Sequence, residues 1–279
     1  MKRIGVAFSV AAGVLASAAT TASAADLAVV EPAPAVAVPS LFDVGFGVAG
    51  VTDYRIHGVT QTNRRPAVQG YVELQAFDWL YAGVWGSNVK FPSTLGMTNP
   101  SGEVDFYAGI RHSWGAFSLD ASYLYYWYPN ETKTFPGQKE TDFWEIKAFP
   151  TFAIGEYGSI TGSFAYSPDF INTGADEFYV GVQPKVNIPV SAFPNLAFYI
   201  AGEIGKQWIK KADNGFDAHD FLYWNVGGGV NYKAMTLDVR YMDTDLSKGE
   251  CAVNTLKRNW CGSTVVGKLS FDTSFSKLK

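Results

Sequence analysis

Acidic and basic side chains fall together on alternate positions of several extended segments, a pattern able to do electrostatic work along one face. The acids are Asp53, Glu73, Glu103, Asp105, Asp120, Glu145, Glu177, Glu203 and Asp238, and the bases are Arg55, His57, Arg111, Lys147, Lys185, Arg240 and Lys268. Lining one enclosed space, such groups create a transverse field that orients polar solutes and sets ion preference. The competing reading is that they pair across the interior as structural ion pairs. Arg55, His57, Arg64 and Arg65 form a denser basic group. Pointing into a mouth it would attract anionic solutes, and on a solvated loop it would contact surface phosphates.

Catalytic and metal chemistry find less support. His112 stands beside Ser113 but next to the tight Trp114-Gly115 connection, and His219 has Asp217 and Asp220 nearby, too few ligands for a metal site. No histidine has a nucleophile partner at a recognisable spacing, so neither a catalytic residue nor a metal or cofactor is expected. Cys251 and Cys261, with Lys257, Arg258 and Trp260 between them, are the two cysteines of the chain. A disulfide stapling one loop is the expectation, with a redox gate or two free thiols as the alternatives. Gly45, Gly47 and the run Gly227-Gly228-Gly229 lack the lysine-serine and strand-to-helix context of a phosphate cradle, and they read as sites of curvature or close strand packing.

The elements that must carry these groups show a period of two. Over residues 43 to 57, Val44, Phe46, Val48, Tyr54 and Ile56 share one parity while Asp43, Asp53, Arg55 and His57 share the other. The same split recurs at 68–76, 103–111, 117–127, 144–148, 177–185, 196–207, 237–241 and 265–275, and blurred versions occupy 79–88, 157–167 and 220–232. Twelve strands result, give or take two. Their connections alternate: short ones near 77–78, 114–115, 154–157, 189–195 and 232–233, and long polar ones near 64–65, 90–102, 129–139, 168–176, 210–219 and 247–262. Alternation of this kind, with aromatic clusters such as Tyr125-Tyr126-Trp127-Tyr128 beside the connections, predicts an all-β, transmembrane, antiparallel up-and-down β-barrel. Its polar parity would line a lumen.

Composition agrees with that architecture. Aromatic residues make up 15% of the chain and charged residues 17%, and no segment after the N-terminus is an unbroken apolar run of helical-span length. Residues 1–24 read as a cleaved signal peptide, with Lys2 and Arg3 before an apolar stretch and Ala22-Ser23-Ala24 at the cleavage site. Residues 25–40 read as an Ala/Pro-rich periplasmic linker, and 41–279 as one barrel. Loss of Lys2 and Arg3 moves the formal charge from -4 to -6, which argues against nucleic acid as a partner. An even strand count would return both termini to the periplasmic side of a bacterial outer membrane.

The stretch Thr52-Asp53-Tyr54-Arg55-Ile56-His57-Gly58-Val59-Thr60-Gln61-Thr62, then Pro66-Ala67-Val68-Gln69-Gly70 and Tyr81-Ala82-Gly83-Val84-Trp85-Gly86-Ser87-Asn88-Val89, resembles the N-terminal signature of the TorF-like porins, also called the Gcw_chp family. The resemblance implies an outer-membrane, porin-like protein and supplies no catalytic residues. Members commonly carry a second arginine where His57 stands, and Ser276 to Lys279 follow the aromatic Phe275 that would usually finish the last strand. The reading that emerges is non-enzymatic passage of small hydrophilic solutes, with membrane lipid, lipopolysaccharide and the barrel assembly machinery as partners. A surface barrel with a blocked lumen, structural or adhesive, is the alternative, and an outer-membrane hydrolase a more distant one.

Overall fold

The computed structural model describes residues 41–92, 98–133 and 136–278, so the signal peptide and linker expected over 1–40 lie outside the described residues. Twelve strands close into one antiparallel barrel. In chain order they are β1 (Phe42–Val51), β4 (Ala67–Ala76), β5 (Leu80–Ser87), β6 (Glu103–Trp114), β7 (Phe117–Trp127), β8 (Phe143–Ala153), β9 (Gly158–Ser167), β10 (Glu177–Ile188), β11 (Ala197–Ile209), β12 (Phe221–Tyr232), β13 (Met235–Thr244) and β14 (Thr264–Ser274). A separate two-stranded ribbon, β2 (Arg55–Ile56) with β3 (Val59–Thr60), lies in the first long connection. Each barrel strand pairs with its sequence neighbour, and β1 closes the ring by pairing with β4 on one side and β14 on the other, from Gly45↔Ser274 to Val51↔Lys268.

Closure satisfies the backbone of every strand and leaves two surfaces of opposite character. Outside, valines, isoleucines, leucines and phenylalanines such as Val72, Phe106, Ile146, Val182, Ile204 and Leu237 are exposed around the ring. A continuous apolar band of that extent is stable only against hydrocarbon. Aromatic contacts flank it at both ends: Trp79, Trp114 and Phe117 beside the short turns, and Tyr123 with Trp144, Tyr166 with Phe178 and Trp224 with Tyr241 towards the long loops. The five short connections, the start of β1 and the end of β14 occupy one rim, the turn end; the long connections occupy the other, the loop end. At the turn end a short 3-10 segment, Phe275–Leu278, folds back. There the Ser276 backbone N–H and hydroxyl donate to the Asp43 carboxylate at 3.0 and 2.5 Å, and Phe275 packs on Phe46.

Two expectations need correction. Residues 43 to 57 do not form one strand: β1 ends at Val51, and the chain then turns inward. Tyr54 is therefore buried at 1% exposure inside the barrel, not on the lipid side, because a loop that folds into the lumen no longer obeys the parity of the strand before it. The cluster Tyr125-Tyr126-Trp127-Tyr128 also divides. Trp127 faces out, while Tyr126 and Tyr128 share the parity of Asp120 and are buried inside. The last long connection, in addition, holds a helix, α1 (Lys248–Thr255), started by a capping box in which Ser247 and Glu250 exchange hydrogen bonds.

Glycines make room for a set of inward tyrosines. The Tyr107 ring lies against Gly83 and the Tyr199 hydroxyl against Gly229, each directly across a strand pair. A Cβ at either glycine would collide with the ring it faces. Replacing Gly229 with Val should lower the melting temperature of the detergent-solubilised barrel, at an overpacking cost of about 1 to 3 kcal/mol. The double variant Gly229→Val/Tyr199→Ala should recover part of the loss, and additive losses would show that the contact is not the cause.

Candidate functional site

All charged residues expected on the polar parity of the barrel strands face the lumen, where they are buried or partly buried. Four of the bases have a local carboxylate partner. Arg111 spans Glu73 at 3.2 Å and Asp120 at 2.7 Å, Lys147 reaches Glu145 at 3.2 Å, Arg240 holds Asp238 at 2.8 Å, and Arg55 holds Asp53 at 2.7 Å. Lys185 sits 4.4 Å over the Tyr199 ring. Glu203 accepts from Tyr179 at 2.7 Å, and Lys268 is the register partner of Asp238. Structural pairing thus accounts for much of the charge, since a buried ion is tolerated only with a close and well-directed partner.

Tyrosine hydroxyls do a second share of this work. Tyr54 donates to Glu103, Tyr81 to Asp120, Tyr126 to Glu145 at 2.6 Å, Tyr179 to Glu203 and Tyr199 to Asp238 at 2.6 Å. A hydroxyl satisfies a carboxylate lone pair without adding charge, which leaves the lumen wall acidic on balance. By sequence Tyr54 falls on the apolar parity and Tyr126 in an aromatic cluster beside a connection, and none of the five is expected in the lumen. The signal was present: Tyr107 follows Asp105, Tyr179 follows Glu177, and Tyr126 shares the parity of Asp120, each by an even step.

Asp53, Arg55 and His57 belong to the inserted ribbon, not to the wall. His57 and Gly58 form its two-residue turn, both with positive φ, 44° and 82°, as the tight turn that matches strand twist requires. The tip crosses the lumen and seats on the far wall. There the His57 ring stacks on Tyr179 with centroids 3.5 Å apart, and its Nδ1–H donates to Gln207 Oε1 at 2.9 Å. A Cβ on Gly58 would stand 2.6 Å from Thr244 and 2.8 Å from Tyr223, so glycine is demanded there by space as well as by conformation. Arg55 donates to the carbonyls of Gly58 and Gly262 at 2.6 and 3.0 Å, and Asp53 accepts from Thr60 and Thr62. The expected basic cluster is therefore dispersed. Arg55 is neutralised inside the ribbon and His57 is buried against Tyr179, while Arg64 and Arg65 stay exposed above them. Burial, and then the Lys147 ammonium, push His57 down to about 4, so its ring is neutral at pH 7.

The ribbon is fastened from above by the last loop. Cys251 and Cys261 are bonded, as their position round that loop led us to expect, and they close a ring containing α1 and Trp260. From it the Trp260 carbonyl accepts from Thr60 N–H at 3.1 Å, Trp260 Nε1–H donates to Asn63 at 2.9 Å, and the Asn259 carbonyl accepts from Arg64 at 3.0 Å. The Cys261 carbonyl is itself held by the Thr244 hydroxyl at 2.9 Å. Among the other histidines, His112 stacks on Trp79 at 3.8 Å and His219 lies on an exposed loop. Among the described residues no three His, Cys, Asp or Glu side chains are placed to share a metal ion.

A disulfide closing so small a ring contributes about 2 to 3 kcal/mol, and here it orders a loop that in turn holds the ribbon. In the Cys251→Ser/Cys261→Ser variant the barrel should remain folded, while limited trypsin digestion after Arg64 accelerates several-fold, Pro66 shielding the bond after Arg65; unchanged digestion would detach the disulfide from the ribbon. The family model for bacterial proteins of unknown function named Gcw_chp matches residues 35–270. No curated protein matches the sequence. The barrel is similar to solved structures at low identity. An outer membrane channel from Pseudomonas putida F1 shares 13% identity over 88% of this chain and 100% of that chain, with a TM-score of 0.44. LpxR from Salmonella typhimurium shares 7% over 81% and 99%, with 0.43, and the outer membrane channel DcaP of Acinetobacter baumannii shares 11% over 84% and 96%, with 0.38. With its model matched across nearly the whole described barrel, the chain belongs to the Gcw_chp family.

Proposed function

We propose that this protein is an outer-membrane porin of the TorF-like kind, passing small hydrophilic solutes through its charged lumen, with the first long connection as an internal constriction. The observation that carries the reading is the contrast between the two halves of the lumen. Towards the turn end, polar wall residues such as Tyr71, Gln75, Gln183, Asn231 and Asp272 keep partial exposure. Towards the loop end, Tyr54, Glu103, Asp105 and Glu177 are at most 1% exposed beneath the ribbon. A lumen partly open at one end, with Tyr81, Ser159 and Lys185 already buried within it, and closed at the other by a loop held through separable contacts is the layout of a gated passage. In this reading the termini and turns lie on the periplasmic side and the long loops outside, with Arg64 and Arg65 within reach of lipopolysaccharide phosphates. The histidine positions support a non-enzymatic role, since His57 is committed to Tyr179 and Gln207 and His112 to Trp79.

The same ribbon favours a second reading, a structural or adhesive surface barrel whose lumen stays blocked. Planar-bilayer recordings of the wild type and of Gly58→Val separate the two. A valine at the ribbon tip cannot seat against Thr244 and Tyr223, so the porin reading expects conductance and open probability to rise at least several-fold over a small wild-type signal. Silence of both proteins would establish the blocked barrel instead. Acidification supplies an independent check. His57 docks as the neutral ring with its pKa held below the free value of about 6.5, so docking is fully favourable above that pH and is lost progressively as pH falls towards 4. Open probability should climb across that window in the wild type and lose this component in His57→Phe, which keeps the stack on Tyr179 without the proton.

A further inference from the structure

At the loop end of the lumen four carboxylates share the neighbourhood of one amine. Glu103 and Asp105 on β6, Glu145 on β8 and Glu177 on β10 are each at most 4% exposed, and all four lie within electrostatic reach of Lys147. One ammonium cannot balance four buried acids, because each carboxylate removed from water needs a positive charge, a proton or several donors to remain there. Tyr54 and Tyr128 supply hydroxyls to Glu103, and Tyr126 supplies one to Glu145. Buried polar atoms here stay unmatched. Asp105 Oδ1 has no hydrogen-bond partner, and neither has the hydroxyl of Ser167, a fully buried residue whose register partner across β9 and β10 is Glu177 itself. Donor-seeking oxygens and an unused hydroxyl thus face one box that is short of positive charge.

The walls indicate which cation fits. No three acidic ligands here are placed for a metal ion, so rigid coordination is not what the geometry offers. Carboxylates interleaved with tyrosine rings match an organic cation, which takes hydrogen bonds from one and ring-face attraction from the other. Lys147 displays the combination within the protein, with its Nζ 3.2 Å from Glu145 and 5.7 Å from the Tyr126 ring centroid. We infer that this box is a recognition site for the ammonium or guanidinium group of a small cationic solute, which would make the passage cation-selective at its narrowest level. The inference rests on the porin reading for its physiological meaning but not for its test.

The full-length mature protein and its Gly58→Val variant, whose ribbon cannot seat over the box, are titrated calorimetrically in detergent with arginine amide, with succinate and glucose as anionic and neutral controls. Saturable binding of arginine amide alone is expected, strongest in Gly58→Val and weakened about tenfold when Glu177→Gln or Asp105→Asn is added, at a melting temperature no lower than before, and less when Ser167→Ala is added. Absence of saturable binding to Gly58→Val, or binding indifferent to all three variants, overturns the site. Reversal potentials of Gly58→Val in arginine amide chloride gradients then read selectivity, which should favour the cation and fall in Gly58→Val/Glu177→Gln. A silent bilayer combined with binding removes the porin reading and leaves the site, whereas an anion-preferring pore without binding removes the site and leaves the porin.

Discussion

A sheet immersed in hydrocarbon must find a partner for every backbone N–H and C=O, and the double pairing of β1, with β4 and with β14, is how this chain meets that demand. Everything else follows from the ring so formed. It separates an apolar exterior from a polar interior by the parity of each strand. It also fixes which residues confront one another across the lumen, and it brings the first and last loops together although they are nearly the whole chain apart. An open sheet of the same sequence would have the same alternation but no lumen, and its acids would have no reason to meet.

The interior is organised by substitution of donors for charges. Arginines and one lysine neutralise part of the acid, and tyrosine hydroxyls, admitted by glycines on the adjacent strands, satisfy much of the remainder without neutralising it. The outcome is a stable wall with more acids than bases, which is a different design from one in which every ion is paired off. The obstruction laid across it, the β2–β3 ribbon, is held by stacking, by backbone carbonyls and by a neutral histidine, all interactions that can be released singly without touching the ring.

Much of the architecture was legible in the sequence because lipid and water impose a period of two that few other environments impose. Strand positions, the alternation of short and long connections and the lumen-facing acids and bases follow directly from Glu73, Asp105, Lys147 and their neighbours. What escaped were features that depend on the third dimension. Tyr54 and His57 continue the parity of β1 on paper yet lie on a ribbon that turns across the lumen. The tyrosines of the wall look lipid-facing by residue type and are inward by register. The Ser247 to Glu250 capping signature was short enough to pass unnoticed within a polar loop. In each case a local preference was read correctly and its direction was set by closure.

The fastening between the ribbon and the disulfide ring joins residues separated by 195 to 207 positions, as in Arg64 with Asn259 and Arg55 with Gly262. Such a joint has no local precursor. It can engage only after the final strand has zipped onto the first, so the throat closes as a consequence of completed assembly. A barrel caught midway through insertion would remain unbarred.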